Sequence, residues 1–469
     1  MKGIRIAIAM TMASMALASG GVRALTVSCA GATTSGGDWP THGGSLLGTR
    51  SQPDEHTLGV DNVLNLQPQW SFSVADQDAS GTLETIPIEA DGCVYVQTTT
   101  GHLFALNADN GELVWDYESG AGSSFSAPTA VDGVLYTIVP TTRRDHGKGI
   151  HVDALDAATG TLIYSGEELA EEDIASAQAG AGSSAVYFDG MLFVGLTSAE
   201  LSLDYAGGYA LVDASNGSLI KRGYTTPAED QANGIGTCSI WSTPAIDPET
   251  KKLYVGTGQP SGWFDKESEM CNAIIKIDLE PGPTYGEIIG SVKGIPDDPP
   301  YIDVDFGSAP VLLNDASGRQ IVAQLQKAGQ VTAGYTRHMT FAWRTPVSPV
   351  GAALGNFTQS ATDGSNVFTV GAYPGMLYSL AGDTGVPNWA VPVTSPVATT
   401  SVAYANGVVY YNSDAGVITA HDATNGVPLF ARPIAADNAA CDRNQAGGIA
   451  IARNNILAAC GPVVAAYGL

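Results

Sequence analysis

The sequence is poor in basic residues. It has 21 Lys and Arg against 47 Asp and Glu, which gives a formal net charge of −26. A surface of this charge repels phosphate backbones and anionic lipid headgroups, so we expect neither nucleic acid nor an anionic membrane surface as a partner. The sequence also lacks HExxH, P-loop and GxSxG motifs, which argues against hydrolase and nucleotide chemistry. No CxxC or CxxCH occurs, so neither a zinc knuckle nor a covalent haem is predicted.

Long apolar runs are lacking too, because no stretch after the N-terminus reaches the 18 residues that a transmembrane helix needs. The N-terminus itself has the pattern of an export signal: Lys2 and Arg5, then the apolar residues 6–17, then small residues at two candidate cleavage sites. We therefore predict a signal peptide over residues 1–24 and a periplasmic or secreted mature chain. Cys29 follows a poor lipobox, so a lipid anchor is not expected.

Cysteine is scarce but even in number. An even count in an exported chain predicts disulfides. Cys441 and Cys460 flank a hairpin-like segment and form the first expected pair. Two further pairs are hypotheses: Cys238 with Cys271, and Cys29 with Cys93.

Glycine, by contrast, is abundant, with 56 residues, and it punctuates a repeat. Each copy is a short strand, a turn of the Asp-x-x-x-Gly type, and a second strand that ends in an aromatic or apolar residue. Asn/Asp/Thr-Gly closes hairpins because Gly accepts a positive φ, while the preceding Asp accepts hydrogen bonds from the turn. Seven copies can be counted, at residues 106–115, 154–164, 211–220, 277–292, 333–343, 379–389 and 420–430.

Another hairpin signal, Asp-Gly or Asn-Gly, stands before several copies, as at Asp91-Gly92 and Asp132-Gly133. Four short strands per unit are typical of a β-propeller blade. An eighth blade is predicted from two unpaired strands, one at residues 462–468 and one at residues 63–72, whose pairing would close the ring. The predicted fold is an all-β, eight-bladed propeller that forms one domain over residues 25–469.

Several segments resemble the quinoprotein alcohol dehydrogenases, which are eight-bladed propellers with PQQ-type repeats. The opening, residues 38–50 with Asp38-Trp39-Pro40, is similar to the opening of that family. Residues 240–248 and 305–310 look most like the poly(vinyl alcohol) dehydrogenase branch. The resemblance implies pyrroloquinoline quinone (PQQ) and Ca²⁺ on the central axis, an alcohol substrate, and a separate electron acceptor such as a cytochrome c.

The resemblance also implies roles for six residues. Asp305 matches the catalytic base, and Glu200 and Gln259 match the calcium ligands together with Asp305. Glu84, Trp241 and Lys327 match residues that contact the quinone. These side chains suit alcohol oxidation by a quinone. Ca²⁺ prefers hard oxygen ligands, and a carboxylate can take the proton of the alcohol. A flat anionic cofactor favours an aromatic face and a cation.

Three departures from the family pattern accompany this match. Gln259 stands where the family has asparagine, the vicinal disulfide over the cofactor is replaced by residues 122–126, and no arginine follows that segment closely. Each proposed site residue also has a plainer interpretation, such as a solvated loop carboxylate for Glu200 and Asp305 or a core position for Trp241. The alternative function is therefore a non-catalytic propeller that serves as a binding or outer-membrane-assembly scaffold.

Overall fold

The computed structural model describes residues 27–31, 35–77, 80–119, 126–142, 148–169, 182–197, 207–229, 238–260, 269–295, 304–349, 355–393, 401–441 and 446–469. The described strands form eight antiparallel sheets of four strands each. The innermost strands of successive sheets contact one another, so the sheets are the blades of a propeller. This confirms the prediction of an all-β, eight-bladed propeller.

We number the blades I to VIII and call the strands of each blade A to D from the inside outwards. The chain enters with β1 (Gln67–Ser73), the D strand of blade VIII. Blades I to IV follow as β2 (Ile88–Ala90), β3 (Cys93–Gln97), β4 (His102–Asn107), β5 (Leu113–Glu118); β6 (Thr129–Val131), β7 (Val134–Thr142), β8 (Lys148–Asp156), β9 (Leu162–Ser165); β10 (Val186–Phe188), β11 (Met191–Leu196), β12 (Gly208–Asp213), β13 (Leu219–Tyr224); and β14 (Ala245–Asp247), β15 (Lys252–Gly256), β16 (Ala273–Asp278), β17 (Ile288–Lys293).

The second half of the ring repeats the plan. Its strands are β18 (Val311–Asn314), β19 (Gln320–Gln326), β20 (Gln330–Tyr335), β21 (Thr340–Pro346); β22 (Ala361–Thr362), β23 (Asn366–Gly371), β24 (Met376–Ala381), β25 (Pro387–Pro392); β26 (Val402–Ala405), β27 (Val408–Asn412), β28 (Val417–Asp422), β29 (Pro428–Pro433); and β30 (Ala446–Ala452), β31 (Asn455–Cys460), β32 (Val463–Gly468). Short 3₁₀ helices lie at Val63–Asn65, Val74–Gln77 and Ile434–Ala436.

The ring is closed by the two ends of the chain, as the sequence predicts. Strand β1 pairs with β32, with Pro68 opposite Tyr467 and Trp70 opposite Ala466. Blade VIII therefore takes its D strand from the start of the described chain and its other three from the end. The pairing hydrogen-bonds two strands that would otherwise be exposed edges.

The seven repeat copies are the C–D hairpins of blades I to VII. In each blade the D strand carries one extra residue opposite the C strand, a bulge that recurs at the same place. Where a Trp follows the bulge, its ring packs against the turn glycine of the next blade and its indole N–H donates to a carbonyl there. Blades III and IV have Lys221 and Gly290 at this position instead. The hydrogen-bonded pairs, at 2.7–3.0 Å, are Trp70 with Ala108, Trp115 with Ala157, Trp343 with Gly382 and Trp389 with Ala423.

The core follows from this layering. The A strands are buried almost throughout, for example β2 and β14, whereas the D strands β9 and β25 are largely exposed. Apolar side chains between adjacent sheets form the hydrophobic clusters that join the blades. Each blade is therefore stabilised by its neighbours.

All three expected disulfides are present. They join Cys29 to Cys93, Cys238 to Cys271 and Cys441 to Cys460, with Cα–Cα separations of 4.9, 5.0 and 5.1 Å. Cys238–Cys271 is the one that matters for the site described below, because it joins the chain entering blade IV to the B–C connection of the same blade.

One feature of the N-terminal region has no counterpart in the repeat. We call residues 37–52 the axial strap. They lie around the axis, along the inner edges of the A strands. Main-chain hydrogen bonds of 2.6–3.1 Å connect the strap to seven of the eight blades: Gly37 to Arg453, Trp39 to Glu89, Pro40 to Ala130, Leu46 to Ile246, Leu47 to Leu312, Thr49 to Thr362, and Arg50 to Tyr404. The strap thus caps the inner edges of the sheets.

Candidate functional site

The site residues share one face of the propeller. In an antiparallel blade the B–C and D–A connections lie at the same end of the sheet, and we call this end the upper face. Trp241, Asp305 and Glu84 lie in D–A connections, whereas Gln259 and Lys327 lie in B–C connections. Residues as far apart in the sequence as Glu84 and Lys327 therefore lie on the same face, because every second connection between strands returns to it.

Asp305 is held between two neighbouring blades. Its Oδ1 accepts a hydrogen bond of 2.6 Å from the backbone N–H of Gln259, in blade IV. Its carbonyl accepts a bond of 2.7 Å from the backbone N–H of Lys327, in blade V. The residue is only 3% exposed. A buried carboxylate fixed from both sides, with an N–H aimed at one oxygen, is a preorganised acceptor for a proton or a ligand for a cation.

Trp241 and Lys327 form the second part of the site. The Lys327 Nζ lies 5.7 Å from the centroid of the Trp241 ring and 5.2 Å from the centroid of the Phe357 ring. The two rings meet edge to face, with centroids 5.5 Å apart and planes at 61°. An ammonium group beside two aromatic rings suits a flat, negatively charged ligand.

Gly307 gives Trp241 its place. A Cβ built on Gly307 would lie 2.2 Å from Cη2 of the indole, so any side chain there would displace the ring. Because Gly307 is two residues beyond Asp305, this contact also fixes the indole relative to the carboxylate. The Trp241 Nε1 is buried and has no hydrogen-bond partner within the described part of the chain.

The Cys238–Cys271 disulfide braces the Gln259 loop. The backbone N–H of Cys238 donates to the carbonyl of Gln259 at 3.0 Å, and Gly258 donates to Ser239 at 2.8 Å. The stretch that enters blade IV is therefore connected both covalently and by hydrogen bonds to the loop that orients Asp305.

Sequence reasoning did not single out Asn272, which lies beside this disulfide. Its side chain is 1% exposed, and neither its amide nitrogen nor its amide oxygen has a partner among the described residues. Its backbone has a positive φ of 48° and donates to the carbonyl of Gly258. A buried amide without partners is costly, so Asn272 is a further candidate to contact a bound group. No sequence signal beyond its place after Cys271 could have indicated it.

Two predicted site residues stand apart from this cluster. Glu84 enters blade I, opposite blade V in an eight-bladed ring, and its carboxylate accepts a bond of 2.7 Å from Thr82. Glu200, the predicted calcium ligand, lies outside the described residues, as do residues 122–125 and the predicted signal peptide. The structure thus brings together four of the six predicted residues: Trp241, Gln259, Asp305 and Lys327.

The described residues do not by themselves complete a metal site. No group of three or more His, Cys, Asp or Glu side chains within the described ranges could hold an ion. The residues here that carry side-chain oxygens are Asp305, Gln259, whose backbone N–H bonds Asp305, and Asn272, whose backbone N–H bonds Gly258. Across the same ranges, the structure shows no helix of the length and hydropathy needed to cross a membrane.

Comparison with known proteins identifies the family to which the chain belongs. A family model described as "Outer membrane protein assembly factor BamB", of the PQQ repeat type, matches residues 65–295 and 313–466. A polyvinylalcohol dehydrogenase of Pseudomonas sp. is 25% identical over 448 residues, which cover 84% of this chain and 67% of the relative. The quinohemoprotein alcohol dehydrogenase ADH IIB of Pseudomonas putida is 28% identical over 257 residues, covering 49% of this chain and 35% of the relative.

Solved structures show the same fold. The quinohemoprotein alcohol dehydrogenase of Comamonas testosteroni superposes with a TM-score of 0.72 at 16% identity, covering 92% of this chain and 80% of that one. The chain spans about two thirds of the first relative's length and about a third of the second's. The chain belongs to this family of PQQ-type propellers, and the curated relatives that it matches include quinoprotein alcohol dehydrogenases.

Proposed function

We propose that the protein is an exported quinoprotein dehydrogenase that oxidises secondary or polymeric alcohols. The observation that carries the proposal is the convergence of the Asp305 carboxylate, the Lys327 ammonium and the Trp241 indole from successive connections on the upper face. The cofactors would be PQQ and Ca²⁺, and a separate acceptor such as a cytochrome c would take the electrons.

The residues present fit this cofactor set. The Trp241 face and the Lys327 ammonium would hold the flat, anionic quinone, and Glu84 would contact it from the opposite blade. Asp305, Gln259 and Glu200 would supply oxygens to the metal, with Asn272 as a further amide in reach of the same loop. When bound, the quinone accepts hydride and Ca²⁺ acts as a Lewis acid.

Asp305 performs the proton chemistry in this proposal. Its carboxylate accepts the hydroxyl proton of the alcohol, while the Gln259 N–H keeps the second oxygen oriented. Burial excludes water from the carboxylate, which strengthens its interaction with a nearby cation. Lys327 supplies the positive charge at the rim of the aromatic pair.

Calcium is the proposed metal rather than a lanthanide. The family resemblance implies that lanthanide-using members have an aspartate two residues after the catalytic one, where this chain has Gly307; Asp303 stands two residues before Asp305. Because Trp241 occupies the space beside Gly307, an additional carboxylate could not be accommodated without moving the indole. Removing the metal and finding that La³⁺, and not Ca²⁺, restores activity would contradict this choice.

Reconstitution with PQQ and Ca²⁺ tests the proposal. We expect a quinone absorption band in the loaded protein and dye-linked oxidation of secondary alcohols or poly(vinyl alcohol). A protein that binds no PQQ under any metal condition would contradict the proposal. The description of the family model favours one second candidate function, a non-catalytic scaffold. Failure to bind PQQ would support this second candidate.

A further inference from the structure

Arg50 is a fully buried cation in the axial strap. Its backbone N–H donates to Gly43, and its carbonyl accepts from Tyr404 of blade VII. The side chain is 0% exposed, and its Nη1 donates to the carbonyls of Gly48 and Ser360, both at 2.8 Å. The guanidinium thus lies on the axial side of blades VI and VII, held by one of its three nitrogens.

The other edge of the guanidinium is unpaired. Among the described residues, neither Nε nor Nη2 has a hydrogen-bond partner. Other arginines of this acidic chain do find acids: Arg319 bonds Asp315 at 2.7 Å, and Arg453 bonds Asp109 at 2.9 Å. Nε and Nη2 form the side-on fork that binds anions with two parallel hydrogen bonds.

His42 lies near the same guanidinium. Burial, and then the charge of Arg50, hold the pKa of His42 well below its usual range, so the imidazole is neutral. Its Nδ1 is buried and also lacks a partner within the described ranges. Burial lowers the pKa of Arg50 to about 9, which leaves it charged at neutral pH. The pair therefore carries one positive charge, and burying such a charge without a counter-charge is unfavourable.

We propose that Arg50 and His42 form a binding site for a small monovalent anion that fixes the strap to blades VI and VII. The Nε/Nη2 fork would hold the anion, and the imidazole would supply a further N–H. One buried positive charge is balanced by one negative charge, so we expect a small, singly charged anion such as chloride, nitrate or formate. The site is separate from the proposed alcohol oxidation and does not depend on it.

Thermal unfolding of the full-length mature protein tests the site. The probes are sodium chloride, nitrate and formate, titrated against sodium gluconate at constant ionic strength, because gluconate is a much larger monovalent anion. We expect the Tm to rise saturably, by roughly 2–4 °C, as the small anion replaces gluconate to about 100 mM. An Arg50→Gln variant should lose this dependence on the anion.

Arg453→Gln is the matched control. It removes another arginine with little exposed surface, 9% of its side chain, that has carboxylate partners, so it should lower the Tm and keep the anion dependence. Equal anion dependence in the parent and in Arg50→Gln would overturn the proposal.

A crystal of the parent protein grown in sodium bromide decides the question even if Arg50→Gln does not fold. The expected result is an anomalous peak beside Nε and Nη2 of Arg50, with and without added PQQ. Absence of that peak would overturn the proposal. A peak that disappears when PQQ is bound would also overturn it, because the anion would then be a carboxylate of the quinone.

Discussion

At the scale of single residues, Asp305 is the position where the proposed chemistry can be isolated. Asp305→Asn keeps the shape and the hydrogen bond from Gln259 but removes the proton acceptor. We expect turnover of alcohol to fall by about 10²–10⁴-fold, while quinone binding, followed by absorption, persists. Steady-state kinetics with a dye acceptor measures the loss.

Asp315→Asn serves as the control for this substitution. Asp315 lies in the A–B turn of blade V, at the opposite end of the sheet, where it caps the turn and pairs with Arg319. The variant should be less stable and still turn over at the parental rate. If Asp305→Asn oxidised alcohols as fast as the parent, Asp305 would not be the base.

Glu89 makes the stability of the strap region dependent on pH. Burial, and then the charge of Asp38, raise the pKa of Glu89 from 4.5 to about 8, and Arg453, 3.9 Å away, offsets only part of this shift. Between these values the folded state keeps a proton that the unfolded state releases. Stability should therefore fall as the pH rises from about 4.5 to 8, with a slope of up to about 1.4 kcal/mol per pH unit from this group.

Glu89→Gln is neutral in both states, so its unfolding free energy should depend less steeply on pH across the same interval. Urea unfolding at several pH values measures the two slopes. Identical slopes in parent and variant would contradict the assignment of this pH dependence to Glu89.

At the scale of the structural element, two turn glycines distinguish the energetic cost of crowding a docked Trp from the cost of backbone strain in the turn. Gly160 has a φ of +68°, and a Cβ there would lie 2.6 Å from the Trp115 ring. Gly133 has a φ of +77° with open space around it. Gly133→Ala should cost about 1–2 kcal/mol from the left-handed backbone alone, and Gly160→Ala about 1–3 kcal/mol more from overpacking.

Chemical denaturation compares the two glycine variants, and the double variant Gly160→Ala/Trp115→Leu completes the test. The added cost at Gly160 should shrink when the indole is gone, because the methyl then meets a smaller side chain. Equal costs for Gly133→Ala and Gly160→Ala would show that the aromatic docking does not restrict the turn.

The elements also show which part of the fold could be read from the sequence. The C–D hairpins were predictable because Gly turns and the terminal aromatic residue are local signals, as in residues 106–115. The degenerate copy at residues 277–292 was still recognisable, although its turn holds an inserted Pro-Gly-Pro. The path of the axial strap was not predictable, because its partners belong to seven different blades and leave no periodic pattern.

The same reasoning applies to the site. A resemblance to a family selects residue types in order, and the structure brings Trp241, Gln259, Asp305 and Lys327 together at the expected face. The resemblance could not indicate that Phe357 forms an edge-to-face pair with Trp241, nor that the Asn272 side chain is buried without partners among the described residues. Both depend on which side chains meet across blade boundaries.

At the scale of the whole molecule, ring closure is carried by a single strand. Deleting residues 463–469 removes β32 and leaves β1 and β31 as unpaired edges. We expect this truncation to abolish cooperative unfolding and to produce aggregates, measured by calorimetry and light scattering. Deleting only Leu469, which is exposed and lies outside the strand, should leave both properties unchanged. A monomeric, cooperatively unfolding truncation would show that the seam is dispensable.

The axial strap has a further consequence for biosynthesis. Arg50 is synthesised roughly 20–70 s before its partner Tyr404 at ordinary elongation rates. For that interval the strap has only part of its final contacts, and the inner edges of the finished blades remain open to other chains. A holding chaperone that recognises unpaired strand edges would act in this window, before the last blade is made. The strap is thus synthesised before the blades that it contacts and is among the last segments to reach its final contacts.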